Sequence, residues 1–162
     1  MKNKNLIAAF CVAGLVLIGA WLWRKHEQPR QTALRRISLF ASALTDPKGT
    51  ELLEHAILPA AIRALTPSEQ VEFLRKALRD EISLEGVQAL DRHAQFGGLK
   101  SVFPSEADTW SSLAGVRADD CVAFRMERGG VRAEVILLHQ GGIYRIVRCN
   151  NVKQMAIVGR PS

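Results

Sequence analysis

Residues 6–23 (LIAAFCVAGLVLIGAWLW) are eighteen consecutive uncharged, mostly apolar positions, opening at Leu6 and closing at Trp23, and no later stretch resembles them. At about 1.5 Å per helical residue they reach roughly 27 Å, close to the hydrocarbon thickness of a bilayer. The run predicts a single transmembrane helix, with the lipid bilayer as its partner, behind a basic n-region, residues 1–5, carrying Lys2 and Lys4. Trp21 and Trp23 fall where amphipathic rings favour the membrane–water boundary, and Arg24 and Lys25 stop the span there. A cleaved signal peptide is the competing reading. It is disfavoured because the run exceeds the usual apolar core, and because Ile18 stands where a small residue precedes cleavage after Ala20. Cys11 follows Phe10, which is too bulky for a lipidation motif.

The flanking charges leave the orientation divided. Arg24, Lys25, Arg30, Arg35 and Arg36 after the span outnumber Lys2 and Lys4 before it, which argues for a cytoplasmic C-terminus. A short tail ahead of a basic n-region is also the shape of an uncleaved signal anchor that exports the domain behind it. The expectation adopted is an extracytoplasmic domain.

Charge, divided by position, removes one class of function. Residues 1–36 hold seven Lys or Arg against Glu27, whereas residues 37–162 hold fifteen basic and fifteen acidic side chains. Nucleic-acid binding draws most of its affinity from a basic surface that neutralises phosphates, and the folded part is neutral. No nucleic-acid partner is expected.

Behind a basic stem, residues 24–32, a single domain is expected over residues 33–158, with 159–162 as a tail. Its first half reads helical. Ala33, Leu34, Ile37, Phe40, Ala41 and Leu44 recur at three- and four-residue spacing, and Asp46-Pro47 closes that helix. A second helix is expected from about Thr50, interrupted at Pro59. Thr66-Pro67-Ser68-Glu69 combines an N-cap, a proline at the first helical position and a capping-box glutamate. A short helix from Ser83 through His93 should end at Phe96-Gly97-Gly98, and another from Ser105 to Leu113 should end at Gly115.

The second half changes period. Strands are expected over 121–127, 131–139 and 143–149, separated by Gly129-Gly130 and Gly141-Gly142 in tight turns that need positive φ. Closing the first turn sets Arg125 opposite Glu134 and Glu127 opposite Arg132 on one face, with Phe124 opposite Val135 on the other. Closing the second sets Leu137 opposite Ile146, His139 opposite Tyr144 and Val135 opposite Arg148. Helices followed by strands predict an α+β domain, its helices packed on one face of an antiparallel meander of at least three strands. That plan is shared with NTF2-like domains, an analogy of architecture that carries no function. Residues 152–158 are left as a fourth strand or a loose tail.

The same register screens the chemistry. Cys121 and Cys149 sit on the two outer strands, roughly 16 Å apart against the limit of about 7 Å for a disulfide, so free thiols are expected. Cys121 and His139 point to opposite faces. Cys149 is placed beside Glu134, whose carboxylate would raise the thiol's pKa. His26, His55, His93 and His139 are scattered and no Cys-x-x-Cys occurs, so neither a metal site nor a cofactor is expected, and no catalytic residues can be nominated. Two weaker sites remain. His139, Tyr144 and Arg148 share the helix-covered face, where Arg148 could hold an anionic ligand. Ile136, Leu138, Ile143 and Val147 form an apolar patch on the opposite face that requires cover from the chain or from a protein partner. The preferred reading is a membrane-anchored, non-catalytic interaction domain, with a small-ligand binder as the alternative.

Overall fold

The computed structural model describes residues 2–46 and 51–158, and among these the side chains of all but residues 2–15 and His26. The chain divides into two compact units, Met1–Ala33 and Leu34–Ser162. The first helix, α1, runs Lys2–Thr45 with Pro29 inside it, so the stem expected over residues 24–32 is itself helical. In the first unit the Thr32 hydroxyl donates to the Gln28 carbonyl at 2.8 Å, and Lys25 Nζ stands 5.0 Å from the centre of the Trp21 ring. Among the described residues no helix is long and apolar enough to cross a membrane. The span expected over residues 6–23 is only partly covered by that statement, because the side chains of residues 6–15, Cys11 included, lie outside the described residues. So do the side chains of Lys2, Lys4 and His26, the helix boundaries placed at Pro47 and Thr50, and the tail 159–162.

The second unit opens on the last turns of α1, where Leu34, Ile37, Phe40 and Ala41 are buried at the expected helical spacing. The helix expected next is cut to one turn, α2 (Leu52–His55), and Ala56 leaves it extended to bridge Ile146. Pro59 then precedes α3 (Ala60–Arg63). At α4 (Pro67–Leu78) the capping box forms as written in the sequence: Thr66 caps the Glu69 N–H, and Glu69 accepts the Thr66 N–H at 2.9 Å. Ser83 caps α5 (Leu84–His93) through the Gly86 N–H. The segment expected to end α5 is instead an edge strand, β1 (Gln95–Gly98), followed by α6 (Leu99–Val102) and α7 (Ala107–Ala114). Gly115 ends α7 at φ 67°, the left-handed cap that glycine adopts without steric cost.

Three long strands come next, β2 (Cys121–Arg128), β3 (Val131–Gln140) and β4 (Ile143–Asn150), and the antiparallel sheet has the order β1-β2-β3-β4. All four glycines of the two turns have positive φ. The β2–β3 register is the expected one, with Arg125 opposite Glu134, Glu127 opposite Arg132 and Phe124 opposite Val135. The β3–β4 register begins as expected at His139–Tyr144 and Leu137–Ile146, then shifts between Ile136 and Leu137. Val147 is the extra residue. Beyond it Ile136 faces Arg148, Val135 faces Cys149 and Glu134 faces Asn150. The expected Val135–Arg148 pair is therefore corrected, because a bulge returns each later side chain to the opposite face.

Helices cover both faces of the sheet rather than one. Residues 152–158 are neither a strand nor a loose tail but a helix, α8, which packs on β3 and against α5 with Val152 and Met155 wholly buried. Over the other face, Leu99, Val102, Phe103, Ala107 and Ala118 close on Cys121, Ala123, Ile136 and Leu138. The apolar patch that demanded cover thus receives most of it from its own chain.

Candidate functional site

The bulge at Val147 decides what Arg148 meets. His139 and Tyr144 stay paired on the α8 side of the sheet, their rings stacked at 4.4 Å, with Tyr144 buried and His139 exposed. Burial raises the Tyr144 phenol pKa. Arg148 lies on the other face, so the three residues expected to share a ligand pocket do not come together. Its guanidinium stands 5.3 Å from the Trp110 ring centre, and its Nε lies 3.5 Å from Glu134.

Glu134 is the buried carboxylate of this face, 5 % exposed. An isolated buried charge is costly, and here it is matched by Arg132, whose Nε lies 2.6 Å away in an ion pair not aligned as a hydrogen bond. The same guanidinium forks onto Glu106, at 2.6 Å and 3.3 Å. The Glu106 hydrogen bonds chiefly, then Glu134 and the more distant Glu127, raise the Arg132 pKa. Phe103 lies beneath, 5.1 Å from Arg132, and meets Trp110 edge-on at 4.5 Å. These groups pair with one another and form a clamp that fastens the start of α7 to the sheet.

Beside the clamp the cover is incomplete. A cleft of about 150 Å³ opens between Pro59, Trp110, Leu113, Val147 and Arg148, with Ile57 and Ile136 at its floor. Leu113, 79 % exposed, stands on its rim. A second hollow of about 300 Å³ shares Ile57 and Ala114 with the first and is edged by Arg63, Arg117 and Arg145. Of the four residues expected to dock a partner, Ile136 and Leu138 are buried beneath the chain's own helices, Val147 is half-buried in the cleft, and Ile143 is exposed at the β3–β4 turn. A larger cleft, about 580 Å³, lies between the end of α1, α4, α5 and α8, where Arg75, Arg79 and Lys153 face Glu85. In it Arg75 donates to the Asp46 carbonyl, and Lys153 pairs with Asp80 at 3.1 Å.

Cys121 and Cys149 are free and buried. Burial, then Asp120, pushes the Cys121 thiol up to about 11. Cys149 is pushed up by burial and by Glu81, since the bulge takes it away from Glu134, the neighbour expected for it. Neither thiol supplies a thiolate near neutral pH. Among the described residues no group of His, Cys, Asp and Glu is placed to hold a metal ion. One contact was not foreseen: Arg36 Nη1 lies 2.6 Å from His55 Nδ1. Burial, then Arg36, lowers the His55 pKa, so the ring is neutral and accepts from the guanidinium. Nothing in the sequence joins residues nineteen apart on separate helices. No family model, curated protein or solved structure matches this chain.

Proposed function

We propose that the chain is a single-pass membrane protein whose second unit is a non-catalytic domain that docks a protein partner. The observation that carries the membrane half is the exposure of every side chain over residues 16–23, a helical stretch of Val, Leu, Ile, Gly, Ala and Trp with no polar face. A helix apolar all round belongs in a protein core or a bilayer. Extraction at alkaline pH tests it: the full chain stays with the membrane pellet if residues 6–23 span, and its release as free protein ends the anchor. Fusions of the C-terminus to reporters active on one side only test the extracytoplasmic placement.

Docking rests on the gap beside Leu113. With Ile136 and Leu138 already covered, the docking surface contracts to Val147, Trp110 and Leu113, and an exposed leucine at the mouth of an apolar cleft favours a partner's side chain there. A photo-crosslinking residue at Leu113 should capture a discrete partner in the native membrane, while one at Glu72, exposed on α4, should not. Equal capture from both positions removes the docking surface.

The alternative, a small anionic ligand, is favoured by one other feature, the cleft where Arg75, Arg79 and Lys153 outnumber Glu85. Saturable thermal stabilisation by pyrophosphate, abolished in Arg79→Glu, would support it.

A further inference from the structure

Resting on the docking reading above, we infer that the cleft beside Leu113 and the arginine-edged hollow continuous with it bind an acidic segment of a protein partner, with a bulky apolar side chain seated in the cleft. Three observations converge. First, the cleft's volume of about 150 Å³ falls below the roughly 300–1,000 Å³ of small-molecule sites, yet suits one large side chain. Its walls are Trp110, Leu113, Val147 and Pro59, and aromatic and aliphatic pockets of this kind seat the anchor residues of interfaces.

Second, the rim is predominantly basic. Arg63, Arg117, Arg145 and Arg148 are all exposed, and among the described residues lining the two hollows Asp120 is the single carboxylate. Glu134, buried beside this rim, is engaged by Arg132 and, at 3.5 Å, by Arg148, so Arg63, Arg117 and Arg145 carry the excess of positive charge. The domain as a whole is neutral over residues 37–162, so a local excess of arginine is a property of this groove and not of the surface at large. A rim of guanidinium groups around an apolar floor complements carboxylates flanking an apolar side chain, and steers their approach. Third, part of the cleft's apolar lining is recessed. Trp110 and Val147 are half-buried in its walls, whereas binding to a flat lipid surface needs such groups to protrude.

The test uses the full chain in neutral detergent at physiological salt, where non-specific attraction is screened beyond about 8 Å. The probe is a fluorescein-labelled decapeptide with Leu-Phe at its centre and four Asp or Glu on each side. The expected result is saturable binding, about tenfold or more weaker for a peptide with Lys in place of the acids, and likewise for one with Ser-Ser in place of Leu-Phe. Arg145→Glu and Leu113→Asp, both exposed and both expected to keep the parent melting temperature, should each weaken the acidic probe about tenfold or more. Absence of saturable binding overturns the inference, as does binding that either variant leaves unchanged. Competition by phosphatidylserine vesicles that depends on Arg145 but not on Leu113 overturns it in favour of a lipid surface. The two readings fail separately: a partner captured at Leu113 with no acidic-peptide binding leaves docking standing and removes only the acidic class, whereas loss of site-specific capture removes docking itself.

Discussion

Gly86 shows how little room single positions leave. A Cβ there would meet the Val152 carbonyl oxygen at 2.1 Å, so α5 and α8 touch through backbone that no side chain can separate. Gly86→Ala is expected to cost about 3 kcal/mol, because the obstacle is backbone and cannot turn aside. Gly98→Ala, with nothing within 4 Å, should change stability by under about 1 kcal/mol, and urea denaturation of the two variants measures the contrast. His55 sets a pH dependence. Its folded pKa is lowered, so as pH falls through the ordinary value of 6.5 the unfolded chain takes the proton first. The stability it contributes is present above that value and is lost toward its lower folded pKa. His55→Gln, which keeps an acceptor for Arg36, should narrow the gap between melting temperatures measured near pH 7.5 and about pH 5. A gap as wide in the variant as in the parent would assign the acid sensitivity to other groups.

At the scale of elements, one residue in β4 governs the candidate site. Val147 is the extra residue of the bulge, and it sends Arg148 to Trp110 and Glu134 while Cys149 turns into the α8 side of the sheet. Deleting Val147 would remove the extra residue yet leave Arg148 opposite Ile136, Cys149 opposite Val135 and Asn150 opposite Glu134, each on the face it now occupies. That variant is expected to keep a cooperative unfolding transition, weakened by about 1–2 kcal/mol through loss of the half-buried Val147 side chain. A deletion variant that loses its cooperative transition would show that the fold needs the bulge itself and not only the pairing beyond it. The hairpin turns and the capping box were legible because their geometry is written in adjacent residues: paired glycines at positive φ, and Thr66 with Glu69 three positions on. The bulge was not legible, since it depends on Ala56 and Ile57 reaching Ile146 from far along the chain, and on the charges that gather about Glu134. Nor was β1. Gln95-Phe96-Gly97-Gly98 carries two glycines and reads as a helix stop, and it becomes a strand only because β2 offers it an edge, with the Phe96 and Phe124 rings tilted against each other at 4.7 Å.

On the scale of the whole molecule, the last helix decides whether the sheet is sealed. Ending the chain at Asn150 removes Val152 and Met155, each wholly buried, at a cost of about 4 kcal/mol from apolar area alone against total stabilities of about 5–15. The truncated chain is expected to expose the β3 face and aggregate, and size-exclusion chromatography of the purified protein reads this directly. An unaggregated, cooperatively folded product would show that α8 is an accessory. Its course also depends on a distant group: the Glu81 carboxylate accepts the Asn151 N–H at 2.6 Å, and the Lys153 N–H reaches the Glu81 carbonyl, which turns the chain into a helix where a fourth strand or a loose tail was expected. The sequence by itself determined what rests on periodicity and on neighbours: the apolar run at the start, the change from helical to strand period, both glycine turns, the first hairpin's register, and the need to cover an apolar patch. Only the tertiary structure decided that the chain covers most of that patch itself, that helices lie on both faces, and that Arg148 belongs with Trp110 rather than with Tyr144. The reason is physical. Turn and pairing preferences are set within a few residues, whereas the face a side chain occupies after a bulge, and the surface left uncovered, depend on how segments a hundred residues apart compete for the same sheet.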